Sequence, residues 1–87
     1  MLRLKVWEAS AEGAEIAMLD GDGRCHVART LGPTPTVGTT VLGRSMHLGR
    51  IIVVSDPGRR RYRLDIVEVD CDRQHAIERL HPFVTIL

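Results

Sequence analysis

The sequence predicts a mainly β protein, a small antiparallel barrel or sandwich of about six short strands with at most one short helix. Apolar and polar residues alternate with period two in several stretches, as in strands buried on one face. Turn chemistry at Asp20–Gly23 and Asp56–Gly58 separates apolar runs, which is typical of hairpins. A chain of 87 residues suits one modest core. We therefore expect residues 1–87 to form a single small β domain.

Four strands are expected in the first half of the chain. In the first, Leu2, Leu4 and Val6 alternate with polar residues. Residues 14–19 also suit a helix, but the tandem Asp-Gly pairs that follow them favour a hairpin. A connector with two prolines at residues 32–36 is expected to be extended and stiff. The expected strands are residues 2–6, 14–19, 25–30 and 37–43, and Met46–Leu48 falls in a bend after the fourth.

The strongest hairpin signal lies on either side of Asp56-Pro57-Gly58. The β-branched run Ile51–Val54 precedes the turn, in which proline presets φ and the glycine supplies a positive φ. Tyr62, Leu64 and Ile66 then alternate with polar residues. The alternation changes phase after Ile66, which predicts a bulge there or burial on both faces.

The only strong helix signal spans residues 72–80. Asp72 can cap the helix, and Ala76 and Leu80 belong to a narrow apolar stripe. Pro82 ends the helix, and Phe83–Leu87 reads as a final strand. This set of elements resembles SH3-like and OB-like small barrels at the level of fold, and such folds carry many functions.

Composition argues against a membrane protein or a disulfide scaffold. No stretch is long and apolar enough to cross a membrane, and the first residues lack the apolar core of a signal peptide. Two cysteines are too few for a disulfide framework. We therefore expect a cytoplasmic protein with no membrane partner.

The net charge of +1 names no partner, but the charges are unevenly distributed. Residues 24–63 contain eight arginines and one acid, Asp56, whereas the flanking segments are acidic. One interpretation is a face that binds anions. The simpler interpretation, which we favour from sequence alone, is that basic and acidic strands pair across the sheet.

No pattern of catalytic or metal-binding residues stands out. A zinc site could be drawn from residues of the right type, but their spacing fits no zinc motif. These residues are Cys25, His26, Cys71, His75 and His81. Cys25 and His26 are neighbours on a strand, so their side chains should point to opposite faces and cannot pair as nucleophile and base. We expect no enzyme activity, no metal and no cofactor.

The arginine-rich hairpin is the first of two candidate binding features. It comprises Arg59, Arg60, Arg61, Tyr62 and Arg63. Such a cluster could grip nucleic-acid phosphates, and four contacts would give a salt slope of roughly −3 to −4 on duplex DNA. A single tyrosine, however, is a poor stacking platform for bases.

The second candidate feature is an excess of apolar strand surface. The run Ile51–Val54 is apolar on both faces, and the chain ends on an apolar segment. We expect an interface built on Ile52, Val54, Phe83 and Ile86, with Ile52→Lys or Val54→Lys giving a folded monomer. The preferred function is thus a non-enzymatic binding module that acts through protein–protein contacts or as a homo-oligomer. Nucleic-acid binding is the alternative, and a small hydrolase or metal site ranks third.

Overall fold

The computed structural model describes residues 1–44 and 51–82, which form a closed antiparallel barrel with one helix outside it. The strand order around the barrel is β1-β2-β3-β6-β5-β4, and β4 pairs back onto β1. The elements are β1 Leu2–Ala9, β2 Glu15–Asp20, β3 Cys25–Thr30, β4 Thr40–Gly43, β5 Ile51–Ser55, β6 Arg61–Cys71 and α1 Arg73–Leu80. The predicted mainly β fold with one short helix is confirmed. The predicted bend at Met46–Leu48 and final strand at Phe83–Leu87 lie outside the described residues.

The β1–β2, β2–β3 and β5–β6 hairpins close through the same local design. A Ser or Asp opens each turn, its carbonyl accepts the N–H three residues later, and its side chain accepts the N–H four residues later. The residue three positions after the opening one has a left-handed backbone. The opening residues are Ser10, Asp20 and Asp56. Such side-chain bonds stabilise a turn at the point where the strand would otherwise continue. The position of each Ser or Asp therefore sets the register of its hairpin.

The left-handed position of the β5–β6 turn is not the one that the sequence predicts. Glycine occupies it in the other two turns, at Gly13 and Gly23, but here Arg59 has φ 65°. Gly58, expected to carry the positive φ, lies one residue earlier and does not have it. The turn spans Asp56 to Arg59, since the Arg59 N–H donates to the Asp56 carbonyl at 2.9 Å. A non-glycine residue in this conformation is strained by about 1 kcal/mol.

Replacing this strained residue should stabilise the protein. We expect Arg59→Gly to raise the free energy of unfolding by about 0.5–1 kcal/mol, because glycine adopts positive φ without steric cost. Arg60→Gly is the matched control, since Arg60 does not have a positive φ. That control should lower the free energy of unfolding by a similar amount. Urea denaturation of both variants checks the pair, and equal effects of the same sign would contradict the strain.

The barrel interior holds the main core. Inward residues from all six strands are fully or nearly fully buried there. They are Leu4, Val6, Ile16, Met18, Ala28, Val41, Ile52, Val54, Tyr62, Leu64 and Ile66. On the β3–β6 pair, Ala28 lies opposite Ile66 and Val27 opposite Glu68, so Val67 is an extra residue. This confirms the bulge predicted near Ile66, and the extra residue leaves both Val67 and Glu68 on the outer face.

The helix covers one side of the barrel. Asp72 caps α1 by accepting the Gln74 N–H at 2.6 Å, as predicted. Ala76 and Leu80 face the barrel and pack in a second apolar cluster with outward residues of β2 and β3. The buried strand members of this cluster are Ala17, Cys25 and Val27. The helix thus buries the outer surface of β2 and β3 and leaves the opposite side uncovered.

Candidate functional site

The uncovered side of the barrel presents an apolar stripe between basic side chains. Leu42, Ile51 and Val53 point outward from β4 and β5 with 38%, 54% and 50% of their surface exposed. Exposed basic residues stand on the strands at either side, β1 and β6. We call this surface the open face, and it comprises Arg3, Lys5, Leu42, Ile51, Val53, Arg61 and Arg63.

Strand register places these residues side by side. One row crosses four strands, because Arg3 pairs with Leu42, Leu42 with Ser55, and Ser55 with Arg61. In the next row Val53 pairs with Arg63. Outward cross-strand partners have Cβ atoms about 5 Å apart, so Leu42 and Val53 each lie within reach of a guanidinium, whereas the partner of Ile51 on β6 is the carboxylate residue Asp65. The open face is therefore a continuous mixed surface and not a set of separate residues.

Two of the predicted interface residues are core residues. Ile52 is 5% exposed and Val54 is 0% exposed, because both point into the barrel. Their neighbours Ile51 and Val53 occupy the outer face instead. The run is apolar on both sides, but the prediction placed the interface on the side that is buried. The other two predicted interface residues, Phe83 and Ile86, lie outside the described residues.

The expected pairing of basic and acidic strands is seen in register at Arg29, which lies between Glu15 and Asp65, but not at Arg61 and Arg63, whose partners on β5 are Ser55 and Val53. Within residues 1–44 and 51–82, the only arginine with a carboxylate within 4 Å is Arg79 of the helix. Its guanidinium contacts Glu15 at 2.8 Å and Glu68 at 3.0 Å. Acidic side chains are thus engaged on the helix side. Arg61 and Arg63 remain exposed on the open face, with their charge available to a partner.

Tyr62 belongs to the core and not to a nucleic-acid surface. Its side chain is 6% exposed, and its hydroxyl donates to Asp56 Oδ2 at 2.9 Å. The bond to Asp56, together with burial, raises the pKa of Tyr62. The Arg60 backbone N–H bonds to the same carboxylate and, with Tyr62, holds the pKa of Asp56 below its ordinary value. The arginine-rich hairpin therefore offers exposed cations but no aromatic ring on which a base could stack.

A cleft of about 350 Å³ lies at the end of the open face. Arg3, Thr40 and Leu42 line one part of it, and Asp56 and Pro57 of the β5–β6 turn line another. Leu42 and Pro57 supply apolar walls, and Arg3 and Asp56 contribute opposite charges. This combination suits a single apolar side chain inserted from a partner.

The sequence does not reveal how strongly His26 is tied into the structure. Its side chain is 2% exposed, and its Nδ1 accepts the Asp70 N–H at 2.9 Å. Because Nδ1 accepts, Nε2 carries the proton and donates to Asp20 Oδ2 at 2.8 Å. Asp70 has φ 56°, a left-handed conformation that directs its N–H at the ring. The imidazole joins the β2–β3 turn to the end of β6, which is a structural role.

Of the residues considered for zinc, the two cysteines are cross-strand partners, and the Cys71 thiol donates to the Cys25 carbonyl at 3.4 Å, whereas His26 and His75 bond to other groups. Cys25 packs under the helix while His26 makes its bonds elsewhere, so the two side chains point to opposite faces as predicted. His75 contacts Glu68 at 3.0 Å on the helix side. In the part of the chain that the structure describes, no group of three His, Cys, Asp or Glu residues could hold a metal ion.

The position of the β5–β6 turn could have predicted which residues of β5 are exposed. Four apolar residues in a row do not reveal which alternate pair faces inward. The hairpin does, because the turn from Asp56 to Arg59 leads into a register that pairs Val54 with the inward Tyr62. No sequence signal predicts that Leu42 is exposed, since β4 has only four residues and is too short to show a clear alternation.

Comparisons with protein-family models, curated proteins and solved structures find no match to this chain. In residues 1–44 and 51–82, no helix has the length and apolar character needed to cross a membrane.

Proposed function

We propose that the protein is a non-enzymatic binding module that docks an acidic, amphipathic protein segment on its open face. The observation that carries the proposal is the apolar stripe of Leu42, Ile51 and Val53, which has Arg3 and Lys5 on one side and Arg61 and Arg63, beside Asp65, on the other. A partner fits this surface when apolar side chains cover the stripe and carboxylates meet the flanking cations.

The apolar stripe supports a contact with another molecule. Single exposed aliphatic residues are common on protein surfaces, but contiguous ones surrounded by polar groups are typical of interaction sites. Ile51 and Val53 are each about half exposed on the same strand face, and Leu42 stands on the adjacent strand. Covering them removes apolar surface from water, at about 25 cal/mol per Å².

The flanking charges support an acidic partner over a second copy of this chain. A two-fold dimer through the open face would place the same patch on both sides of the interface. Arg61 and Arg63 of one copy would then approach the cations of the other. Opposite charges on the partner remove this repulsion and speed association.

The aliphatic centre also favours protein over nucleic acid. Single-stranded nucleic acid is held by bases stacked on aromatic rings, and the hairpin's one aromatic ring, that of Tyr62, is buried. A duplex would meet aliphatic side chains where its phosphates need cations. Nucleic-acid binding through Arg59, Arg60, Arg61 and Arg63 would therefore depend on charge alone.

The test measures peptide binding by fluorescence anisotropy. The probe is a short labelled peptide in which Glu and Val alternate, and a Glu–Ser peptide of equal length tests charge alone. We expect the Glu–Val peptide to bind the protein more tightly. Val53→Asp and Arg63→Glu should each weaken that binding by about tenfold or more, because each removes a central contact of the open face.

The matched control is Arg24→Glu. Arg24 is exposed in the β2–β3 turn, away from the open face, and its substitution makes the same change in net charge as Arg63→Glu. Equal losses in the two charge variants would mean nonspecific attraction and would overturn the proposal.

Sedimentation of the free protein and a DNA-binding assay test the other partners. A dimer dissociated by Val53→Asp would replace the proposal with self-association, and salt-sensitive duplex DNA binding lost in an Arg61→Gln/Arg63→Gln variant would replace it with nucleic-acid binding.

A further inference from the structure

A second cleft, of about 420 Å³, lies between the proline-containing connector and the start of β6. The connector contributes Pro33, Thr34 and Thr36, and β6 with its preceding turn contributes Arg60, Arg61 and Tyr62. We infer that this cleft binds the phosphate group of a small phosphorylated molecule. The inference does not depend on the apolar stripe: Arg61 belongs to the open face as well, but Arg60, Tyr62 and the three connector residues do not.

The two arginines are available to a ligand. Arg60 and Arg61 are both exposed, and neither has a described carboxylate within 4 Å of its guanidinium. Consecutive residues of a strand normally point to opposite faces, but Arg60 precedes β6 and lies in the turn, which lets both side chains line one cleft. Guanidinium groups bind phosphate oxygens in pairs, through two parallel N–H donors.

The acid nearest in sequence is already engaged. Asp56 accepts the Arg60 backbone N–H through Oδ1 at 2.9 Å and the Tyr62 hydroxyl through Oδ2 at 2.9 Å. These bonds hold the carboxylate at the turn, and the ion pairs of the described residues include none between it and the guanidinium of Arg60 or Arg61. The negative charge of Asp56 reduces the positive potential of the cleft, but the carboxylate does not lie inside the cleft.

The connector side of the cleft supplies a fixed wall and a free hydroxyl. The Thr34 hydroxyl donates to the Gly13 carbonyl at 2.7 Å, which anchors the connector to the β1–β2 turn. Pro35 is buried and adds to this anchoring. Thr36 is exposed and places a hydroxyl donor opposite the arginines. A cleft closed on one side by an anchored segment suits a compact anion.

The chemistry favours a phosphomonoester over a nucleic-acid backbone. A phosphomonoester carries close to two negative charges at neutral pH and presents three terminal oxygens to the donors. A phosphodiester carries one charge and must enter with chain on both sides. The volume of the cleft accommodates a small phosphorylated molecule, with the ring of Pro33 available to its apolar part.

The experiment follows amide chemical shifts by NMR in the full chain at low ionic strength. The probes are inorganic phosphate, ribose 5-phosphate and an oligonucleotide without terminal phosphate, and sodium chloride of matched ionic strength corrects for screening. We expect saturable amide shifts with the first two probes at Thr34, Thr36 and residues 60–62, since the two prolines of the connector have no amide proton. Arg60→Gln/Arg61→Gln should weaken this binding by about tenfold or more, because it removes both guanidinium groups.

Arg24→Gln/Arg63→Gln is the matched control, because it also removes two charges and neither residue lines the cleft. Retained phosphate binding in this variant supports the site, and an equal loss in it would mean a diffuse basic surface and overturn the inference. Amide shifts that do not saturate with phosphate in the unmodified protein also overturn the inference. Tighter binding of the oligonucleotide than of ribose 5-phosphate would assign the arginines to nucleic acid instead. Proton spectra of the variants show whether each is folded, and these residues are exposed, so we expect native spectra.

Discussion

Val54→Lys should abolish the fold, although the same substitution one residue earlier should be tolerated. Val54 is 0% exposed inside the barrel, where a lysine ammonium would have no partner and no solvent. It also lies against Gly43, where a Cβ placed on the glycine would come within 2.7 Å of Val54 Cγ1. The site therefore has no room for a longer side chain. We expect a loss of about 4 kcal/mol or more, which approaches the whole stability of a small protein.

The control is Val53→Lys, on the same strand and with the same change of side chain. Val53 is 50% exposed, so its lysine reaches water, and we expect the free energy of unfolding to change by no more than about 0.5 kcal/mol. Circular dichroism and urea denaturation compare the two variants. A folded Val54→Lys variant with an unfolded Val53→Lys variant would mean that β5 faces the other way.

This pair of residues shows where prediction from sequence succeeds and where it stops. The strands, the turns and the capped helix have local signals, so their positions follow from alternation, turn residues and the Asp72 cap. The facing of β5 has no signal within the strand itself, since all four residues of Ile51–Val54 are apolar. It depends on the hairpin register that pairs Val54 with Tyr62. That register also removes Tyr62 from the candidate nucleic-acid surface.

The open face could not be predicted from sequence, because it depends on closure of the barrel. Arg3 and Leu42 are far apart in the chain and become neighbours only when β4 pairs back onto β1. The helix position is a second such case. Its apolar stripe predicts burial against the barrel, but which outer surface it covers follows from the contacts of Ala76 and Leu80. Only with that surface covered does the opposite face become the candidate site.

His26→Leu should cost about 2 kcal/mol of the free energy of unfolding. Leucine fills a similar volume but leaves the Asp70 N–H without its acceptor and Asp20 Oδ2 without its donor. His26→Gln is the matched variant, because its amide can accept from one group and donate to the other. We expect it to recover about half of the loss, as measured by urea denaturation at neutral pH. Equal losses in the two variants would mean that the ring contributes packing and not hydrogen bonds.

The dependence on pH provides a second readout of the same network, through Asp20. Burial raises the pKa of Asp20, but hydrogen bonds from His26 and from the Arg24 and Asp22 amides outweigh it, so the pKa lies below its ordinary value of 3.8. A carboxyl whose pKa is lowered by folding adds stability above its unfolded pKa, and this contribution is lost as the pH falls through the folded pKa. Asp20→Asn should therefore destabilise the protein at neutral pH, with a deficit that shrinks below about pH 4. Asp22→Asn, exposed in the same turn, should show no such deficit, and a deficit of Asp20→Asn that stays constant with pH would contradict the ionised network.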